Sequence, residues 1–309
     1  MEKIQKTVGH SAPVHKPKKH HKPLTPARVT VSMCKWIGLT VLCVLFLFPI
    51  WWMVISSFKP QTVIYEQLDS FMTFLPSTWN VGEWFTSYVN LFNSFDYFGT
   101  AILNSIFYCA VTVAGVLLVN SIAGYALARL EFPGSNVLTT IIILLIIVPV
   151  ETSIVPQYVI LSHLGLLSSS TARVAGYLLP GIVSAFYIFM FRQYFMGMPK
   201  ELEEAAEIDG AGKVRTYFVI IMPLAKAIFA TVAIFTFMGA WNEYVFADLM
   251  FPQAQQKPLQ AFLQLVNTYN PKDLSMVMAA LTVSTIPIAI VYIFCQRYIV
   301  EGVSFSGLK

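Results

Sequence analysis

Six apolar stretches divide this chain, each of roughly the twenty residues that a helix needs to cross a bilayer. They fall at 36–57, about 99–126, about 137–156, about 174–192, about 224–250 and about 274–296. The third, VLTTIIILLIIVPVETSIVP, is the purest, while the first accepts a kink at Pro49 and the second carries polar Asn104, Ser105 and Asn120. Between the fourth and fifth the pattern reverses. Residues 199–224, PKELEEAAEIDGAGKVRTYFVIIMPL, concentrate charge in an otherwise oily chain. Pro199 suits a first helical position, where its missing N–H would have no intrahelical partner anyway. Glu201, Glu203 and Glu204 would crowd the first turn, where the helix dipole favours negative charge. Gly210 supplies the left-handed residue that ends many helices. The pattern predicts a helix over 199–209, about 16 Å long. Leu202, Ala205, Ala206 and Asp209 would share one of its faces. A solvated loop has no need of so well-specified an element, so it reads as a docking part.

Composition agrees with a multi-pass membrane protein in the cell membrane: of 309 residues, 56% are hydrophobic and 12% charged, about half the charged share of a soluble domain. Much of the net charge of +4 sits in residues 1–35, rich in Pro, Lys and His, which rules out a nucleic-acid face. That segment lacks apolar periodicity and reads as a disordered basic arm able to touch anionic lipid. His10, His15, His20 and His21 fit a solvated cationic arm better than a metal site. With six spans, sixteen Lys and Arg fall on the side of both termini and the 199–224 loop, against four (Lys59, Arg173, Lys257, Lys272) opposite. Positive charge marks the cytoplasm, so both termini and the acidic loop are expected there. The long external segment 58–97, with Trp79, Trp84, Phe92 and Tyr97, suits either an interfacial aromatic belt or a surface for an external partner.

The chemistry expected of a self-powered machine is missing. Gly212-Lys213 lacks the upstream Gly and the following hydroxyl of a phosphate-binding loop. Neither a zinc-protease HExxH nor a Ser nucleophile elbow occurs. Glu151, Glu243 and Asp248 lie near the outer ends of their spans rather than forming a buried carboxylate relay. Cys34, Cys43, Cys109 and Cys295 have no metal or disulfide spacing and read as small apolar residues. The energy source must lie in another chain.

Glu204-Ala205-Ala206, Asp209-Gly210-Ala211 and Ile221-Met222-Pro223-Leu224 together resemble the cytoplasmic EAA loop of ABC-importer permeases. Three residues separate Ala206 from Gly210 and ten separate Gly210 from Ile221; Met222 stands where Leu is usual. The run from Leu164 to Ala211, the WNEY of 241–244 and the ending QRYIVEGVSFSGLK resemble the carbohydrate (maltose-type) branch. The likeness covers about 36–309 and leaves the basic arm unmatched. It implies an all-α type I importer permease with six transmembrane helices and no enzymatic activity. Leu202, Glu204, Ala205, Ala206, Asp209, Gly210 and Pro223 would couple it to a separate ATPase. ATP and Mg would be bound there, with no cofactor in this chain. The resemblance also implies a second permease subunit, giving a heterodimer, two ATPase subunits and an extracytoplasmic solute-binding protein.

Sugar sites combine aromatic faces with hydrogen-bonding groups. Trp241, Asn242, Glu243 and Tyr244 form the in-span cluster of that composition, and Asn104 and Asn120 on the second span are further candidates. Each could equally be helix–helix glue, since Asn hydrogen-bonds across membrane interfaces. The expected function is permeation of a sugar or oligosaccharide in an ATP-driven importer. Glycerol-3-phosphate import, or an autonomous secondary carrier, remains the alternative.

Overall fold

The computed structural model describes residues 26–77, 80–269 and 271–306, and most of these are helical, with no strand among them. The chain forms two compact units, Met1–Ile50 and Trp51–Lys309. The first contains most of α1 (Pro26–Ser57), apolar along its length. The disordered arm expected over 1–35 lies outside the described residues up to residue 25, and residues 26–35 belong to α1.

In the second unit α2 (Phe98–Arg129) is a continuous helix of 32 residues, about 48 Å long. It contributes to three buried clusters: Phe98, Ala101 and Cys109 to the first, Tyr108 to the second, Val116 and Tyr125 to the third. Large side chains such as Leu103, Ile147 and Phe294 are exposed around the outside. So contiguous an apolar surface suits lipid rather than water.

The other spans are less simple than the apolar pattern suggests. The third is not one helix over 137–156. Instead α3 (Ser135–Ile147) turns by 95° into the stretch Val150–His163, which contains α4 (Ile154–His163). Pro149 is the cause: it disfavours helical backbone at the residue before it, and Val148 is extended (φ −75°, ψ 120°). The fourth is α5 (Ser170–Ile182) followed by α6 (Ala185–Met196), interrupted at Val183-Ser184. The fifth, expected over 224–250, divides into α8 (Lys226–Asn242) and α9 (Val245–Met250). Here α7 is kept for the short helix Glu201–Ile208 in the loop. Beyond α9 come α10 (Leu259–Thr268) and α11 (Leu274–Ser306). Among the described residues four stretches, with α5 and α6 taken together, are long and apolar enough to traverse a membrane, or six if the bent pairs (Ser135–Ile147 with Val150–His163, and Lys213–Leu224 with α8) each cross once.

An interrupted span needs partners for its freed backbone groups. Asn120 supplies them at the α5–α6 break: its Nδ2 donates to Ile182 O at 2.7 Å and its Oδ1 accepts from Ser184 N–H at 2.8 Å. At the α8–α9 break, Glu243 Oε1 accepts from Phe246 N–H at 2.9 Å. The segment between α1 and α2 folds around Lys59, which is 1% exposed. Its ammonium donates to Gln67 Oε1 at 2.8 Å, Met72 O at 2.8 Å and Thr73 O at 3.1 Å.

Candidate functional site

The acidic loop leaves α6 at Met196 and makes one short, well-stopped helix. That helix, α7, runs from Glu201 to Ile208, so it is shorter than the 199–209 of the sequence expectation. Pro199 lies before it and Lys200 is the N-cap residue. The acidic first turn is as expected, with Glu201, Glu203 and Glu204 beside the N-terminus. Its end is a Schellman stop: Gly210 adopts φ +76°, Ala211 N–H donates to Ala206 O at 2.9 Å and Gly210 N–H donates to Glu207 O at 3.0 Å.

Which face of α7 looks outward differs from the pattern. Ala206 is buried and Leu202 half-buried, so Leu202, Ala205, Ala206 and Asp209 do not form one exposed face. Glu201, Glu204, Ala205 and Ile208 are exposed instead, spaced as one helical face. Ile208 is 87% exposed. Asp209 is the C-cap residue, and Pro223 is exposed farther along.

Glu203 turns inward. Its Oε1 lies 2.9 Å from Arg129 Nε at the end of α2, and the two side chains are 5% (Arg129) and 12% (Glu203) exposed. The contact is an ion pair without the alignment of a directed hydrogen bond. Arg129 Nη2 also donates to Met198 O at 2.6 Å, and Tyr125 Oη donates to Glu203 Oε2 at 3.4 Å. Breaking one side of such a buried pair strands a charge, at about 3–5 kcal/mol. The exposed Lys213–Glu207 pair at 3.2 Å contributes little. An open groove of about 620 Å³ runs between α7 and the 127–136 turn, with Glu131, Glu204, Glu207, Lys200 and Lys213 on its walls.

Past α7 the chain forms a short helix (Lys213–Thr216), then a π-turn (Tyr217–Ile221). It then bends by 79° into α8. Tyr217 is pinned against α2, with its hydroxyl 2.6 Å from Ser121 Oγ and its ring 5.0 Å from that of Tyr125.

The polar residues of the far end divide into packed and open. Trp241 is buried, its Nε1 donating to Ser284 O at 3.1 Å and its ring stacked on Phe237. Glu243 caps α9, whereas Asn242 and Tyr244 are exposed. Asn104 donates to Gln255 O at 2.9 Å and Lys257 O at 3.2 Å. It thereby holds the 251–258 loop, as Tyr108 does through Gln256 O at 3.0 Å. Lys257 is paired with Asp248.

Residues 120–305 match the family of binding-protein-dependent transport system inner membrane components. The chain belongs to that family. Membership makes it the membrane component of an ABC importer rather than a catalytic subunit, and implies an ATPase and a solute-binding protein as partners. The permease is 29% identical over 285 residues to the arabinooligosaccharides transport system permease protein AraQ of Halalkalibacterium halodurans, covering 91% of this chain and 99% of that protein. It is 35% identical over 207 residues to the sn-glycerol-3-phosphate transport system permease protein UgpE of Yersinia pestis, covering 66% and 72%. Its fold is similar to that of a chain in a bacterial ABC transporter involved in the import of the acidic polysaccharide alginate. The TM-score is 0.77 at 23% identity, over 90% of this chain and 99% of that one.

Arg129 and Ile208 were not picked out by the sequence reading, and Glu203 only as one of the acidic first turn. A single Arg at the end of a span counts there as a positive-inside charge, and only the fold shows that it faces α7. Ile208 could have been found, because it continues the i, i+3, i+4, i+7 row begun by Glu201, Glu204 and Ala205.

Proposed function

We propose that this permease carries a sugar or oligosaccharide, and that the outward face of α7 is where a separate ATPase docks. The observation behind the docking reading is the geometry of that face. Glu201, Glu204, Ala205 and Ile208 project together from a helix stopped by Gly210 and braced by Arg129. Two carboxylates followed by one bare isoleucine suit a cleft with an apolar floor and a basic rim. Ala205 allows close approach of the backbone, and Pro223 is exposed farther along the loop.

In this reading six spans cross the membrane, with both termini and the α7 loop in the cytoplasm, as the sixteen-to-four distribution of Lys and Arg supports. ATP and Mg are bound by the partner ATPase. A second permease completes a heterodimer, and a solute-binding protein delivers to the far end. Asn242 and Tyr244 are the exposed members of the substrate path. Glu243, Trp241 and Asn104 support it through the contacts they make with α9, α11 and the 251–258 loop.

Three of the four cations of the far side favour sugar over glycerol-3-phosphate, Lys272 being the exposed exception. A phosphate would want free positive charge. Lys59 is buried against carbonyls, Arg173 donates to Met250 O at 3.1 Å and Lys257 is paired with Asp248. The test is ATP hydrolysis by the assembled transporter with its binding protein, comparing arabino-oligosaccharides with glycerol-3-phosphate. Stimulation by the oligosaccharide is expected. Stimulation by glycerol-3-phosphate alone would reverse the substrate reading, and uptake by this chain alone without ATP would make it an autonomous carrier.

A further inference from the structure

The contacts of α2 reach from one end of the permease to the other. At the loop end, Ser121, Tyr125 and Arg129 stand at i, i+4 and i+8, one face of the helix. Ser121 meets the Tyr217 hydroxyl, Tyr125 meets Tyr217 and Glu203, and Arg129 meets Glu203 and Met198 O. Two separate parts of the loop, α7 and the π-turn, are thus fastened to the same helical face. In the middle, Asn120 grips both sides of the α5–α6 break. At the far end, Asn104 and Tyr108 hold the carbonyls of Gln255, Gln256 and Lys257, and Ser105 Oγ accepts from Leu259 N–H at 2.7 Å.

The neighbouring spans are built to bend where α2 is not. The third turns at Pro149, the fourth is interrupted at Val183-Ser184, the fifth at Glu243-Tyr244, and α11 contains Pro287. Helix α2 has neither proline nor interruption over its 32 residues. Kinks are where helices yield, so an unbroken one moves as a body.

We propose that α2 is the strut that carries displacement of α7 to the 251–258 loop, with Arg129 and Asn104 as positioning residues at its two ends. Their separation of 25 positions sets the anchors roughly 38 Å apart along the helix. The energy of one buried ion pair and one hydroxyl pair ties α7 and the π-turn to the inner end. The hydrogen bonds of Asn104, Ser105 and Tyr108 tie the loop to the outer end. The strut rests on the reading of α7 as the ATPase dock, and the experiment separates the two.

The full transporter is assembled with Gln253, an exposed residue of the loop, changed to Cys in a chain whose native cysteines are replaced by alanine. A membrane-impermeant maleimide is applied from the far side, with and without Mg-ATP and vanadate inside. Nucleotide is expected to change the labelling rate at least about fivefold, the lower range of coupling between distant sites. Asn104→Leu, remote from the dock, should abolish most of that change while the ATPase stays bound and hydrolyses ATP, and Arg129→Gln and Glu203→Gln should abolish it too, with ATPase retention read alongside. Exchanging the charges, Arg129→Glu with Glu203→Arg, should restore part of it. The exposed Leu103→Ala should leave it intact. An undiminished response in the Arg129 and Asn104 variants, or no response in the parent, overturns the strut. So does loss of the response only together with loss of the ATPase. Glu204→Lys reports on the dock alone: if that variant keeps its ATPase, the docking reading fails whatever the strut does.

Discussion

A β-carbon on Gly124 would lie 2.6 Å from the β-carbon of Phe191, and 2.9 Å from the backbone nitrogen of Arg192. That relationship sets how closely α2 and α6 cross beside the acidic loop. Both helices present backbone there, as small residues allow in membranes.

Gly124→Leu should therefore force the two helices apart. Overpacking of this kind commonly costs about 1–3 kcal/mol. The expected outcome is a lower thermal unfolding midpoint in detergent, read by tryptophan fluorescence, with Gly124→Ala affected in the same direction but less. An unchanged midpoint in both would contradict the close crossing.

Gly210→Val should act through backbone conformation, because no atom lies within 4 Å of the position a β-carbon would take, yet φ is +76°. A left-handed L-residue costs about 1–2 kcal/mol, more when β-branched. The variant is expected to reach the membrane, lose ATPase retention and expose α7 to protease. Gly210→Asn, which tolerates this conformation, should keep most of the function.

Asn120→Leu leaves Ile182 O and Ser184 N–H without their partner inside a span. Each stranded group costs about 1–3 kcal/mol. Faster hydrogen exchange around 182–187 is the expected signature, measured by mass spectrometry in detergent. Equal exchange in parent and variant would show that the break holds itself.

Burial lowers the pKa of Lys59 below its ordinary value. Its folded pKa is thus below its unfolded one, so between the two the unfolded chain binds more protons. Stability of the 58–75 segment should rise as pH climbs through that alkaline window, opposite to a paired lysine. Lys59→Met removes the titration, but strands Met72 O and Thr73 O. Protease resistance of the segment against pH reads both effects: a rising trend in the parent, and a flat, weaker one in the variant.

How much of this was legible without coordinates depends on the kind of signal. The apolar stretches gave the all-helical membrane class and placed α2 and the start of α11 closely, because long uniform runs leave few alternatives. They missed the breaks. Pro149 could have warned of the third, but the fourth and fifth turn on what Asn120 and Glu243 reach across space, which no local pattern contains. In the loop, the acidic turn and Gly210 stop were visible as local chemistry. Helix α7 was drawn too long because Pro199 permits a start that the chain does not take. Its outward face was misjudged because periodicity ranks faces but cannot say which one the rest of the protein covers. Glu203 faces inward because Arg129 and Tyr125 are there, and Ala206 is buried on the same helix. Asn104 and Trp241 looked like substrate contacts by composition, and their amide and indole groups are engaged with the 251–258 loop and Ser284.

Retention of the ATPase by the purified transporter tests the docking face of α7 most directly. Glu204→Lys and Ile208→Asp, each on that exposed face, should lose most of the ATPase on co-purification, while the permease stays folded and Leu103→Ala retains it in full. Full retention by both α7 variants would contradict the account.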